Sequence, residues 1–223
     1  QDFHFTNMVD PNALLKNEDG QRFIDVLPNS GLPAEASRAV GWGTSFFDYD
    51  NDGWLDLYFA TTAFIKFNDH EGPLGMMLPF RNFLYRNQGV DQSRIDTDGE
   101  IMFEDTTPQS WIDNAIPSMG FAYADYNRDG LLDFIQNDWK DRYRLYRNQG
   151  IAGKDNHWLS IHLTGGGPVN RDAIGTRVLL TLTDGRILMQ EVKSGSAMGS
   201  GNDTALHFGF GDGCFSFREI FGF

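Results

Sequence analysis

The sequence predicts an all-β chain: partial β-propeller-type blades followed by a small antiparallel β-sandwich or sheet module. Three observations predict it. Short aromatic and β-branched runs are bounded by Gly, Pro, Asn and Asp, and no long stretch keeps a 3.6-residue apolar period. An internal repeat fills the first two thirds, and repeats of roughly 40–50 residues built from several strands suggest blades. From Asn156 onward the pattern changes to alternating strands joined by a two-residue hairpin signal, Asp184-Gly185.

The repeat comes first in the chain. Gly43-Thr-Ser-Phe-Phe-Asp-Tyr-Asp-Asn-Asp-Gly-Trp-Leu-Asp-Leu57 returns as Gly120-Phe-Ala-Tyr-Ala-Asp-Tyr-Asn-Arg-Asp-Gly-Leu-Leu-Asp-Phe134, at a constant offset of 77. Leu84-Tyr-Arg-Asn-Gln-Gly89 returns as Leu145-Tyr-Arg-Asn-Gln-Gly150, with a degenerate copy at Leu14-Leu-Lys-Asn17. Phe23-Ile-Asp-Val-Leu-Pro28 pairs with Phe103-Glu-Asp-Thr-Thr-Pro108. The order is kept throughout, so the chain carries two full repeats and the end of an earlier one. The first copy is lengthened by Thr62–Arg81, whose Gly72, Pro73, Gly75 and Pro79 predict a surface loop.

Within each repeat the acidic turn carries the chemistry. Asp48, Asp50, Asp52 and Asp56 occupy positions 1, 3, 5 and 9 of a nine-residue turn, and Gly53 allows the bend that aims the Trp54 carbonyl inward at position 7. Calcium takes about six to eight hard oxygen ligands, which alternate residues of a tight turn can deliver to one centre. The second turn offers Asp125, Asn127, Asp129, the Leu131 carbonyl and Asp133; its neutral amide predicts weaker binding. An EF-hand is excluded, because position 12 is Phe59 or Gln136 rather than Glu and the flanks read as strands. The plainer alternative is a pair of Asx-type hairpin turns bonding their own backbone. A looser cluster, Asp96-Thr-Asp98-Gly99-Glu100, reads as a solvated turn.

In the last third, Leu159, Ile161 and Leu163 alternate on one face of a strand. Arg177–Thr183, Ile187–Val192 and Thr204–Phe208 are the next strand candidates. The final Phe215-Ser-Phe-Arg-Glu-Ile-Phe-Gly-Phe223 alternates aromatic residues. It either closes the C-terminal sheet or adds to a neighbouring subunit.

Composition excludes several classes. Lys and Arg total 18 against 31 Asp and Glu, a net charge of −13, which argues against nucleic-acid binding and against adhesion to anionic membranes. With 40% hydrophobic residues and 19 Phe the chain is not disordered, and no apolar run reaches the roughly 18 residues of a membrane span. One cysteine, Cys214, allows no intramolecular disulfide framework. No signal peptide is visible, and Gln1 in place of Met reads as a processed or truncated N-terminus.

The repeats resemble the FG-GAP/VCBS type that builds integrin-like propellers. Asn156-His-Trp-Leu-Ser-Ile161, Asn170-Arg-Asp-Ala-Ile-Gly175, Glu191-Val-Lys-Ser-Gly-Ser196 and Leu206-His-Phe-Gly209 resemble the ASPIC/UnbV domain. That pairing is similar to the organisation of the cartilage acidic protein family. The resemblance implies repeats over 1–153, an ASPIC/UnbV-like module over 154–223, and a secreted, extracellular or periplasmic protein with Ca2+ in the turns. It departs from the family in its small number of repeats and in Phe210–Phe223, which replaces the usual Trp-Pro-Ser-Gly stretch.

Catalysis finds little support. His4, His70, His157, His162 and His207 share no metal spacing. Ser194, Ser196 and Ser200 lie near Asp203 and His207 without a nucleophile elbow. The expected function is non-enzymatic: a calcium-binding scaffold for protein or glycan partners. The alternatives are a structural subunit of a larger assembly, joined through an open blade edge or the C-terminal strand, and a polysaccharide-binding or polysaccharide-processing accessory module.

Overall fold

The computed structural model describes residues 2–8, 10–33, 36, 39–66, 75–78, 80–90, 101–110, 112 and 116–221. Its strands, in order, are β1 (Phe3–Phe5), β2 (Ala13–Glu18), β3 (Arg22–Asp25), β4 (Val40–Phe47), β5 (Asp56–Lys66), β6 (Gly75–Leu78), β7 (Phe83–Val90) and β8 (Ile101–Asp105). There follow β9 (Ser118–Ala124), β10 (Asp133–Asp138), β11 (Tyr143–Tyr146), β12 (His157–Ile161), β13 (Arg177–Leu182), β14 (Ile187–Glu191), β15 (Leu206–Gly211) and β16 (Phe215–Phe221). The chain is all-β, as its periodicity predicts.

The expectation of propeller-type blades followed by a sandwich is corrected. The described strands form five separate small antiparallel sheets: β1-β2-β3; β4-β5-β7-β8 with β6 on β5; β11-β10-β9; β12-β15; and β14-β13-β16. None of these sheets closes on itself, and the copies differ in strand number. The reason is physical. The repeated residues encode turns and the hairpins that flank them, which are local, whereas strand number and closure depend on lateral pairing that the repeat does not specify. The insertion adds to the mismatch, because β5 runs on through Lys66 and β6 pairs back against it, Ala63 with Leu78 and Lys66 with Gly75. The loop expected there is thus in part a hairpin. Residues 67–74 and 79, and the Asp96–Glu100 cluster, lie outside the described residues.

Local repetition survives the correction. In both copies of the Phe-x-Asp-x-x-Pro element a single 3-10 turn follows the strand, Leu27–Asn29 and Thr107–Gln109, with Pro seated where no N–H is needed. Asp25 and Asp105 each accept the N–H two residues on, at 3.1 and 3.0 Å. Ser30 and Ser110 each donate back to the turn's first carbonyl, at 2.8 and 2.7 Å.

By contact the chain forms two compact units. The first comprises Gln1–Phe47, Leu55–Phe121 and Gln136–Arg144. Its core joins Leu14, Leu27, Leu57, Phe59, Phe83, Tyr85 and Phe103, with the Phe59 and Phe83 rings stacked at 4.9 Å. It also holds a buried polar network. Gln136 Oε1 accepts from Tyr58 Oη at 2.7 Å and Asn82 Nδ2 at 3.0 Å, while its Nε2 donates to Ser118 Oγ and Asp138 Oδ1. Every polar atom of that amide is satisfied, as burial demands.

The second unit comprises Asp48–Trp54, Ala122–Ile135 and Leu145–Phe223. Its core is Val178, Leu180, Val192, Leu206 and Phe208, with Leu159, Ile161, Leu163 and Phe215 against it. A hairpin forms at Asp184-Gly185, but its loop has three residues, Thr183–Gly185, rather than the two expected, because Thr181 pairs with Ile187 and the Leu182 N–H donates to the Arg186 carbonyl at 2.8 Å. The C-terminal strand β16 pairs with β13 as an edge strand, from Leu182–Phe215 to Arg177–Phe221. It is therefore paired within this chain.

Candidate metal centre

Both acidic turns form the same hydrogen-bonded ring. In the first, Asp48 Oδ1 accepts the Asp52 N–H at 3.1 Å, Asp48 Oδ2 accepts the Gly53 N–H at 2.9 Å, and Asp52 Oδ1 accepts the Trp54 N–H at 2.9 Å. In the second, Asp125 Oδ1 accepts from Asp129, Asp125 Oδ2 from Gly130, and Asp129 Oδ1 from Leu131, at 3.0, 2.8 and 3.1 Å. Position 4 is left-handed in both, Asn51 and Arg128 at φ 60. The Asx bonding expected of ordinary turns is therefore present, and it orients the carboxylates rather than competing with their convergence.

The first turn brings Asp48, Asp50 and Asp56 together, one carboxylate oxygen from each within 4.8 Å of the others. All three are buried, at 3%, 0% and 0% exposure. Burial first, then the charges of Asp52 and Asp50, push Asp48 well above the ordinary carboxylate value, against the pull of the Gly53 and Asp52 N–H groups. Clustered, dehydrated carboxylates suit a hard divalent cation, which neutralises their repulsion, so this donor set fits Ca2+. Asp52 stands apart: it is not in the cluster, and one of its oxygens holds Trp54. The Trp54 ring lies under the Arg186 guanidinium at 4.9 Å.

The second turn is looser. Asn127 and Asp129 are exposed and Asp125 is half-buried, so among the described residues no three-carboxylate cluster forms there. Burial works to raise Asp129, but hydrogen bonds from Asn127, Arg147 and the Leu131 N–H, with the Arg147 charge, hold it below its ordinary value. Asp133 is buried, and its Oδ2 has no hydrogen-bond partner among the described residues. Burial and the charges of Asp129 and Asp125 raise Asp133, against the Asn148 and Tyr126 N–H groups. A buried carboxylate oxygen left bare is what a cation would satisfy.

Three residues support the first turn: Asn51, to which the sequence assigns no role, and Asn156 and His207, which it places in the ASPIC/UnbV-like motifs without linking them to the turns. Asn156 Nδ2 donates to the Asp50 carbonyl at 2.8 Å, and Asn51 bonds both His207 and Gly130. Gly130, at φ 86, packs so closely on the Trp158 indole that a Cβ would lie 1.8 Å from it. The Ser–Asp–His residues are not assembled into a triad. His207 Nε2 faces Asn51, and Asp203 turns back to the Ala205 N–H. No organised catalytic cluster occurs among the described residues.

Residues 166–214 match the family described as ASPIC and UnbV. The chain is also similar to cartilage acidic protein 1 of Mus musculus, 34% identical over 74 residues, a stretch covering 33% of this chain and 10% of that protein. The chain therefore matches only about a tenth of that relative's length. No helix among the described residues is long and apolar enough to cross a membrane.

Proposed function

We propose that this chain is a calcium-binding, non-enzymatic interaction scaffold that works outside the cytosol. The observation that carries the reading is the buried convergence of Asp48, Asp50 and Asp56 in a turn whose hydrogen-bonded ring recurs 77 residues later. In this reading Asp52 and the Trp54 carbonyl complete the first site. Asp125, Asn127, Asp129, the Leu131 carbonyl and Asp133 form the second, weaker one. Residues 1–153 are then calcium-binding repeats of the FG-GAP/VCBS type, and 154–223 an ASPIC/UnbV-like module against which the turns pack. The likeness to an acidic protein of cartilage supports export, as does calcium chemistry. Extracellular calcium modules work at Kd on the order of 10⁻⁴–10⁻³ M, which the cytosol does not supply.

Partners are protein or glycan ligands held by exposed loops. The alternative of a subunit in a larger assembly is favoured by the first sheet, where every residue of the edge strand β3 is exposed and Phe3, Phe5 and Phe23 are 42%, 52% and 49% exposed. An aromatic edge of this kind suits strand or face addition.

The test is thermal and urea unfolding in excess EDTA and in 10 mM CaCl2. At the affinities above, each occupied site adds about 1.4–2.7 kcal/mol. Identical unfolding curves in the two buffers sink the proposal.

A further inference from the structure

Two side-chain amides touch both acidic turns, Asn51 from within the first and Asn148 from beside the second, and only Asn51 is itself part of a turn. Asn51 lies between Asp50 and Asp52 and is 1% exposed. Its Nδ2 donates to the carbonyl of Gly130, the residue between Asp129 and Leu131, at 2.9 Å. On its other side Oδ1 meets His207 Nε2 at 2.7 Å, and its own carbonyl accepts the Gly211 N–H at 2.8 Å. All of these residues belong to one compact unit. The arrangement fixes its own polarity. Only Nδ2 can donate to a carbonyl, so Oδ1 must face His207 and the imidazole proton must sit on Nε2. The matching position of the second turn is Arg128, and from that side the turns are linked instead by Asn148, whose Nδ2 donates to the Tyr49 carbonyl at 2.7 Å and to the Leu132 carbonyl at 3.3 Å.

We propose that Asn51, held in place by His207, couples the two turns, so that calcium bound at one raises the calcium affinity of the other. The inference rests on the calcium reading above. A cation drawing in Asp48 and Asp50 fixes the backbone between Asp50 and Asp52, and with it the Asn51 amide. That amide in turn holds Gly130, immediately before the Leu131 carbonyl. Ordering one turn thus removes part of the ordering cost at its neighbour, which is positive coupling between two sites. Asn51 and His207 act here as positioning residues, touching no ion themselves.

Calorimetric titration of the full chain with CaCl2 tests this. The affinity of the first turn is compared between the wild type and a chain whose second turn carries Asp125→Asn and Asp133→Asn. Coupling of ordinary size weakens the first turn about fivefold or more in the disabled chain. In an Asn51→Ala background the same lesion leaves the first turn unchanged. His207→Gln, whose amide still donates to Asn51 Oδ1, keeps the coupling, whereas His207→Ala loses it. General loosening of the fold would not distinguish those two variants, and they carry the comparison if Asn51→Ala does not fold. Equal first-turn affinity with and without the second turn, in a chain that binds two calcium ions, overturns the coupling and leaves the calcium reading standing. A wild type that binds no calcium overturns both.

Discussion

The Asp56 carboxylate accepts the main-chain N–H of Asn87 at 2.8 Å, which ties the ninth position of the first turn to β7. Asp133 and Asn148 repeat the bond at 2.7 Å. The Asn side chains complete the tie, Asn87 Nδ2 donating to the Leu55 carbonyl and Asn148 Nδ2 to that of Leu132. The Leu-Tyr-Arg-Asn-Gln-Gly element recurs in the sequence because it clamps each acidic turn.

A ninth-position carboxylate with two tasks should matter even without an ion. Asp56→Ala leaves a buried N–H unsatisfied and should cost about 1–3 kcal/mol in EDTA. Asp52→Ala releases only the half-buried Trp54 N–H and should cost under about 1 kcal/mol. Urea unfolding of the two variants in EDTA makes the comparison. Equal midpoints would show that the clamp contributes nothing in the metal-free state.

In the metal-free chain the contribution of Asp48 to stability should fall as pH rises. The folded-state pKa of Asp48 stands well above the ordinary 3.8, through burial and then through the Asp52 and Asp50 charges. A folded chain that holds more protons than the unfolded one has this contribution in full below that ordinary value. The contribution is lost as pH rises through the shifted one. Calcium replaces the proton as the neutralising charge. The stability gap between CaCl2 and EDTA should therefore widen steadily from pH 4 to pH 8. A gap that stays constant across that range would remove Asp48 from the site.

His4 gives a pH dependence of opposite sign. Its Nδ1 meets Thr44 Oγ1 at 2.8 Å, and that hydroxyl donates to the Tyr58 carbonyl at 3.0 Å, so the imidazole must donate from Nδ1. Burial lowers its pKa from 6.5 to about 4. The folded chain then carries fewer protons between those values, so stability is full above 6.5 and is lost as pH falls toward 4. The loss attributable to this residue is about 2–3 kcal/mol. In EDTA-free buffer His4→Asn should flatten the urea midpoint between pH 7 and pH 4.5 relative to the wild type. Parallel profiles for the two chains would contradict the assignment.

What could be read from the sequence was local. Asp48, Asp50 and Asp56 announced themselves by spacing, as did the Asp184-Gly185 hairpin, because in both the physics acts within a few residues. Strand count did not, since β6 and the three-stranded β9–β11 sheet depend on lateral pairing that no motif encodes. Asn51 occupies a spacer position between ligands, and His207 stands in the sequence only as part of the Leu206-His-Phe-Gly209 motif. Their contact spans 156 positions and has no periodic trace. Gln136 was visible only as a missing EF-hand glutamate, yet it anchors a buried network.

Gly209 is where the C-terminal segment should reveal its hold on the first turn. It lies in β15, paired with Trp158. A Cβ there would fall 2.3 Å from Asp48 Oδ2 and 2.4 Å from the Asn51 Cα. The second of these is main chain and cannot rotate aside, so Gly209→Ala must push the turn itself. Overpacking of that kind costs about 1–3 kcal/mol. Because the displaced atoms include a carboxylate of the cluster, calcium affinity should fall along with stability. Gly166→Ala supplies the control, since a Cβ there meets nothing within 4 Å. It should leave both quantities at the wild-type value. Calcium titration and urea unfolding of the two variants decide the matter. If Gly209→Ala binds calcium as tightly as Gly166→Ala, the approach of β15 to Asp48 does not set the geometry of the site.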